Sequence, residues 1–133
     1  VVATGNAPFD LLISNTTYRD VFYDAPLDDI ANPIYDNTNS YYASASMSRT
    51  LGRQWLWKFS SKQLKKITAQ TSAASSKGLK ARYWSTPAWP VTFKDYVSGI
   101  LVENGIGMLN VDDFSRTLYF PLATRFVQNR LGL

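Results

Sequence analysis

Asp112 and Asp113 stand side by side at the end of an apolar run, Ile106 to Val111. Neighbours on a strand face opposite sides, so the pair makes a poor acid/base dyad. Asp24, Asp28 and Asp29 are the other close set of carboxylates, a set that could in principle suit magnesium or calcium. They fall in an Asp-, Asn- and Pro-rich stretch, 24–40, which reads more simply as a solvated loop. Neither set has a histidine to work with, because the 133-residue chain contains none, and it contains no cysteine. That removes the commonest general base, the commonest transition-metal ligand, thiol nucleophiles and disulfides. Side chains suited to binding are present. Arg82 could pair bidentately with phosphate, although its place along a strand could point it elsewhere. Trp84 could wall a cleft and meet a lipid or a choline-like headgroup through its face. Asn110 could donate to phosphate or position a hydroxyl.

The elements that would hold these residues alternate from about residue 41. Tyr41 to Met47 is a β-prone run with small residues interleaved. Ser60 to Lys77 is predicted as a helix. Ser60 or Ser61 caps it, Leu64, Ile67, Thr71 and Ala74 recur at helical spacing, and Gly78 ends it. Lys62, Lys65 and Lys66 mark its wet face. Leu79 to Trp84 follows as a strand, and Pro87 and Pro90 break the chain. A second helix carries Phe93, Tyr96, Val97, Ile100 and Leu101, with Thr92 as the expected cap, Asp95 as its weaker capping-box partner and Gly105 as a left-handed terminator. Ile106 to Val111 reads as a strand buried on both faces. A last helix is expected from Ser115, with Pro121 kinking it or delaying its start. Earlier, Val1–Thr4 and Val21–Tyr23 look like strands, and Pro8–Ile13 fits strand or helix. The stretch 24–40 reads as a loop, and loops of that length are usually functional. Strand and helix in alternation indicate parallel βα units, hence an α/β fold.

Composition agrees with a packed domain: 45% of residues are hydrophobic and 14% aromatic. The net charge of +4 is uneven. Residues 1–48 set six acids against Arg19 alone, whereas 49–133 set thirteen bases against Asp95, Glu103, Asp112 and Asp113. A basic second part could favour phosphate-bearing partners, although a solvated helical surface is the plainer explanation. Nothing is dense enough for nucleic-acid binding. No apolar run suits a transmembrane segment, and Val1 to Gly5 lack a signal-peptide pattern. Asn15-Thr16-Thr17 is a glycosylation sequon that argues only slightly for secretion. Trp89 and the Trp55-x-Trp57 pair are expected to anchor packing or loops.

Three stretches carry a resemblance. They are Val2-Ala-Thr-Gly5-Asn6-Ala-Pro8-Phe9-Asp10, Lys80-Ala-Arg82-Tyr-Trp84-Ser-Thr-Pro87-Ala-Trp89-Pro90, and Gly105-Ile-Gly107-Met108-Leu109-Asn110-Val111-Asp112-Asp113. In this order they resemble the C-terminal part of fungal phospholipase-C-like phosphodiesterases, many of them named altered inheritance of mitochondria protein six. The wider superfamily includes glycerophosphodiester phosphodiesterases and sphingomyelinase D-like toxins. The resemblance implies that residues 1–133 are the second half of a (β/α)8 TIM barrel, with 79–84 and 106–111 as its last two strands. Chemistry in such barrels gathers at the C-terminal strand ends. That rule selects Trp84, Asn110 and Asp112 for substrate binding, with Asn6, Asp24 and Ser44 as weaker candidates. Plain structural readings stand beside these: Trp84 as a packing aromatic, Asn110 and Asp112 as caps of the helix near Ser115.

In the family the resemblance points to, two histidines act with a divalent metal, magnesium or calcium, held by carboxylates of early strands. None of those positions is matched here. The expectation is a part of a metal-dependent phosphodiesterase acting on glycerophosphodiester or phospholipid-type substrates, inactive alone. Its partner would be the N-terminal half of the barrel or a second copy of the chain. The alternative is a non-catalytic secreted module that recognises a lipid headgroup, a glycan or a protein, with Trp89, Tyr41 and Tyr42 exposed. Secretion is the expected compartment, and the sequence leaves mitochondrial or other intracellular placement open.

Overall fold

The computed structural model describes residues 1–54 and 57–110. Trp55, Asp112, Asp113 and the helix expected from Ser115 lie outside them. The described chain is α/β. Its elements are β1 (Val2–Ala3), α1 (Phe9–Ile13), β2 (Phe22–Pro26), β3 (Ser40–Ser46), α2 (Met47–Leu51), α3 (Ser61–Ser76), β4 (Lys80–Trp84) and α4 (Val91–Glu103). The four strands form one parallel sheet in the order β1-β2-β3-β4. Every neighbour in sequence is a neighbour in space, as parallel units with crossover connections require.

The pleat sorts residues between two faces. Ala25, Ala43, Ala45, Ala81 and Tyr83 are buried with Ile67 and Ala74 of α3 and Phe93, Val97 and Leu101 of α4. Alanines at these strand positions let the helices approach the sheet closely. Burying Ile67 and Leu101 contributes about 1.5–3 kcal/mol each. Alternate positions, Asp24, Tyr42, Ser44, Arg82 and Trp84, point to the opposite face, where polar groups prevail.

Helix α3 matches its sequence signals. Ser60 accepts from the Gln63 backbone N–H, and the Gln63 side chain accepts from the Ser60 backbone N–H, a reciprocal capping box worth about 1 kcal/mol. Gly78 takes φ of +73° just past the helix end. Helix α4 departs from expectation. It begins at Val91 on Pro90, with no side-chain cap, so Thr92 is inside the helix and Asp95 has no capping role. Proline already supplies the extended entry that a cap residue would provide.

The stretch 24–40 also differs from the reading of one long loop. Asp24 to Pro26 complete β2, and a short 3-10 turn covers Leu27–Asp29. The rest is a tied crossover. The Lys77 ammonium donates to the carbonyls of Asn32 and Tyr35, and Asp36 accepts from the Thr38 hydroxyl and backbone N–H. Those bonds hold the Asp36 carboxyl below its ordinary pKa, the Thr38 hydroxyl first among the causes. This segment lies at the end where β3 and β4 begin, and its bonds tie the two strand entries together.

Beyond α4, among the described residues, a single parallel bridge joins Arg82 to Met108, and 106–110 form no longer strand. Gly107 makes this approach possible. A methyl group there would sit 2.7 Å from the Lys80 Cα and 3.0 Å from the Ala81 nitrogen, both backbone atoms. Gly107→Ala is therefore expected to destabilise the fold by roughly 1–3 kcal/mol, read as a shifted midpoint in urea unfolding.

Candidate functional site

The open polar face centres on Arg82. Its Nε donates to Asn110 Oδ1 at 2.9 Å, and its Nη1 lies 3.7 Å from Asp24 Oδ2. Asp24 is on β2 and Arg82 on β4, with β3 between them. The guanidinium reaches across because Ser44, its cross-strand neighbour on β3, is small. One arginine thus ties β2, β4 and the segment after Met108 together. Its ion pair is not a fully engaged fork, and no described residue accepts a hydrogen bond from Nη1 or Nη2. Those donors suit an oxyanion.

Asp24 is the unusual group. Its side chain is only 7% exposed. Burial raises its pKa above the ordinary 3.8, and the Ser44 hydroxyl and the Arg82 guanidinium pull it back only in part. The Ser44 hydroxyl is near without meeting hydrogen-bond geometry: Ser44 Oγ and Asp24 Oδ1 are both buried and both lack a partner among the described residues. Two unsatisfied polar atoms beside a guanidinium are costly to leave dry, and they face the open side of the sheet.

At the C-terminal end of β4, Trp84 is 39% exposed, and the Arg49 guanidinium sits 5.7 Å from its ring centroid. Hydroxyls line the adjoining strand ends: Ser46 Oγ is 3.1 Å from Ser48 Oγ, which is 3.4 Å from Ser85 Oγ. Trp84 is therefore partly exposed beside Arg49 and not a fully buried packing residue. Asn110 takes part through Arg82. Asn6, exposed on the loop after β1, joins none of these contacts. Asp112 lies outside the described residues. Sequence reasoning missed Arg49. Its signal is its position three residues past the C-terminal end of β3, a parallel strand.

Among the described residues no group of three or more His, Cys, Asp or Glu could hold a metal ion. Asp28 is engaged by Thr50 and Gln70, and Asp29 by Asn32. One buried carboxylate beside a guanidinium does not fit a divalent cation, and no chemistry through a metal is derived from these residues.

The Asp24 shift has a sign. An acid with a raised folded pKa binds its proton more tightly in the folded state. Its contribution to stability is present at low pH and is lost as pH rises from 3.8 through the folded value. Urea unfolding across that window should show the decline, and Asp24→Asn should abolish it. Arg82→Met should carry the decline to higher pH and lower stability near neutrality by roughly 2–3 kcal/mol.

No family model matches the chain, and no solved structure matches it. Curated fungal proteins do. The Altered inheritance of mitochondria protein 6 homolog of Arthroderma benhamiae is 33% identical, over 85% of this chain and 36% of its own length. The Altered inheritance of mitochondria protein 6 of Eremothecium gossypii is 32% identical, over 90% of this chain and 34% of its own length. That of Lachancea thermotolerans is 30% identical, over 90% and 32%. The chain spans about a third of the length of these relatives. It is similar to that third of proteins named Altered inheritance of mitochondria protein 6.

Proposed function

We propose that this chain is the substrate-contacting half of a phospholipase-C-like phosphodiesterase barrel. The observation that carries the reading is Arg82, braced by Asp24 and Asn110 on the open polar face of a parallel sheet whose other face is packed by helices. A (β/α)8 barrel has that division, with helices outside and an inner face lined by strand side chains. In the complete protein Arg82 would hold the non-bridging oxygens of a glycerophosphodiester or phospholipid phosphate. Preorganised donors of this kind act where charge develops in the transition state. Asp24 keeps the guanidinium in place, and Trp84 with Arg49 forms the wall that meets the headgroup. Acid, base and divalent metal would come from residues outside this chain, which has no histidine. The chain alone is accordingly inactive.

A second reading, a non-catalytic binding module, draws support from Trp57 and Trp89, which are 56% and 75% exposed. Gel filtration with intact-mass analysis separates the two. The phosphodiesterase reading expects a second polypeptide segment, and hydrolysis of a glycerophosphodiester only when that segment is present. Within that assembly Arg82→Ala should lower kcat/KM roughly 100-fold. A stable monomer with no companion, or an Arg82→Ala variant of undiminished activity, would contradict it.

A further inference from the structure

The two most exposed tryptophans among the described residues are neighbours. Trp89 is 75% exposed and Trp57 56%, and their ring centroids lie 6.4 Å apart at 84°. Leaving two indoles in water is costly, and they do not move freely. Trp57 also meets the buried ring of Phe93, 5.3 Å away at 67°. The pair is thus an apolar corner fixed to the core through α4. The sequence suggested both residues as anchors of packing or loops, with Trp89 exposed in the binding-module reading, and the contact with Phe93 accounts for one edge of Trp57.

Positive charge adjoins this corner. Lys58 lines the shallow cleft that contains Trp57 and Phe93, and it also lines the next one, which contains Arg53 and Lys62. No acidic side chain lines either cleft. Among the described residues the ion pairs are Lys66 with Asp28 and Arg82 with Asp24, so Arg53, Lys58 and Lys62 have no acidic partner there. All three are exposed.

We propose that this corner docks onto an anionic phospholipid bilayer. Indole rings favour the headgroup level, where the apolar face and the N–H are both satisfied. Lysine and arginine beside them add attraction to acidic lipids. A glycan would use the rings but has no need of the cations. The two tryptophans lie on the segments that leave the C-terminal ends of β3 with α2, and of β4. The bilayer would therefore meet the molecule at the same sheet end as Trp84 and the serine hydroxyls. Docking is independent of hydrolysis, so its failure leaves the phosphodiesterase reading standing.

Flotation of the purified protein with vesicles tests the proposal. Vesicles of phosphatidylcholine with phosphatidylserine should carry the protein upward, and phosphatidylcholine alone should carry far less. Trp57→Ala with Trp89→Ala should weaken binding to the anionic vesicles about tenfold or more. Arg53→Gln with Lys58→Gln should weaken it and flatten its salt dependence. Trp89→Ala alone, at so exposed a position, should keep the wild-type circular dichroism and melting midpoint while losing part of the binding. Free inorganic phosphate, compared with sodium chloride at equal ionic strength, should not release more of the protein. The proposal is overturned by wild-type protein that stays at the bottom of the gradient, by a double-tryptophan variant that floats unchanged, or by release with phosphate beyond that with sodium chloride. Protein that ignores vesicles but is retained by a protein partner through the tryptophans would overturn it as well.

Discussion

The two-residue period of the strands governs this molecule. One phase of β2, β3 and β4 carries the buried Ala25, Ala43, Ala45, Ala81 and Tyr83, and the other carries Asp24, Ser44 and Arg82. A slip of one residue in any of these strands would drive Asp24, Ser44 or Arg82 into the helices and expose alanine. Register, helix packing and the location of the polar groups are therefore one decision. The small residues set how close α3 and α4 lie, and the tyrosine anchors them. Buried Tyr83 donates its hydroxyl to Gln70 of α3, and Gln70 in turn donates to Asp28. Burial, with the Asp28 charge assisting, raises the Tyr83 pKa, so it remains a neutral donor.

On the opposite face the same register sets three polar side chains to work as one. Arg82 crosses over Ser44 to Asp24 and turns back to Asn110. A larger residue than serine on β3 would close that path. Among the described residues the arrangement stabilises less than a fully satisfied network would, because Asp24 Oδ1 and Ser44 Oγ are left without partners there. Buried polar networks that stop short of satisfaction are a burden on stability alone. A surface meant to receive an anion, or further protein groups, gives such a network its purpose.

Much of the fold was legible because it rests on local chemistry. The Ser60 cap, the Ile67–Thr71–Ala74 stripe and Gly78 mark α3 within a residue or two, and Lys80–Trp84 carries clear strand character. The strand end Asp24–Pro26 was hidden because aspartate and proline read as loop formers, while pairing with β3 overrides that preference. The start of α4 was misplaced because Thr92 looks like a cap, yet Pro90 sets the entry first. Of the site, Trp84, Asn110 and Asp24 were reached from their strand positions, but what joins them was not. A contact between Asp24 and Arg82 spans 58 residues of sequence and depends on a small residue between two strands, which no periodicity reveals. The contact of Arg49 with Trp84 and the pairing of Trp57 with Trp89 are likewise tertiary facts.

The central claim is that Arg82, oriented by Asp24 and Asn110, is an anion-receiving group on the working face of the sheet. A crystal structure of the intact protein grown with tungstate, a heavy mimic of phosphate, tests it most directly. The account predicts the anion on the Arg82 guanidinium, on the Trp84 side, with the Asp24 and Asn110 contacts preserved. Tungstate bound only elsewhere, with Arg82 covered by apolar side chains from the rest of the protein, would contradict it.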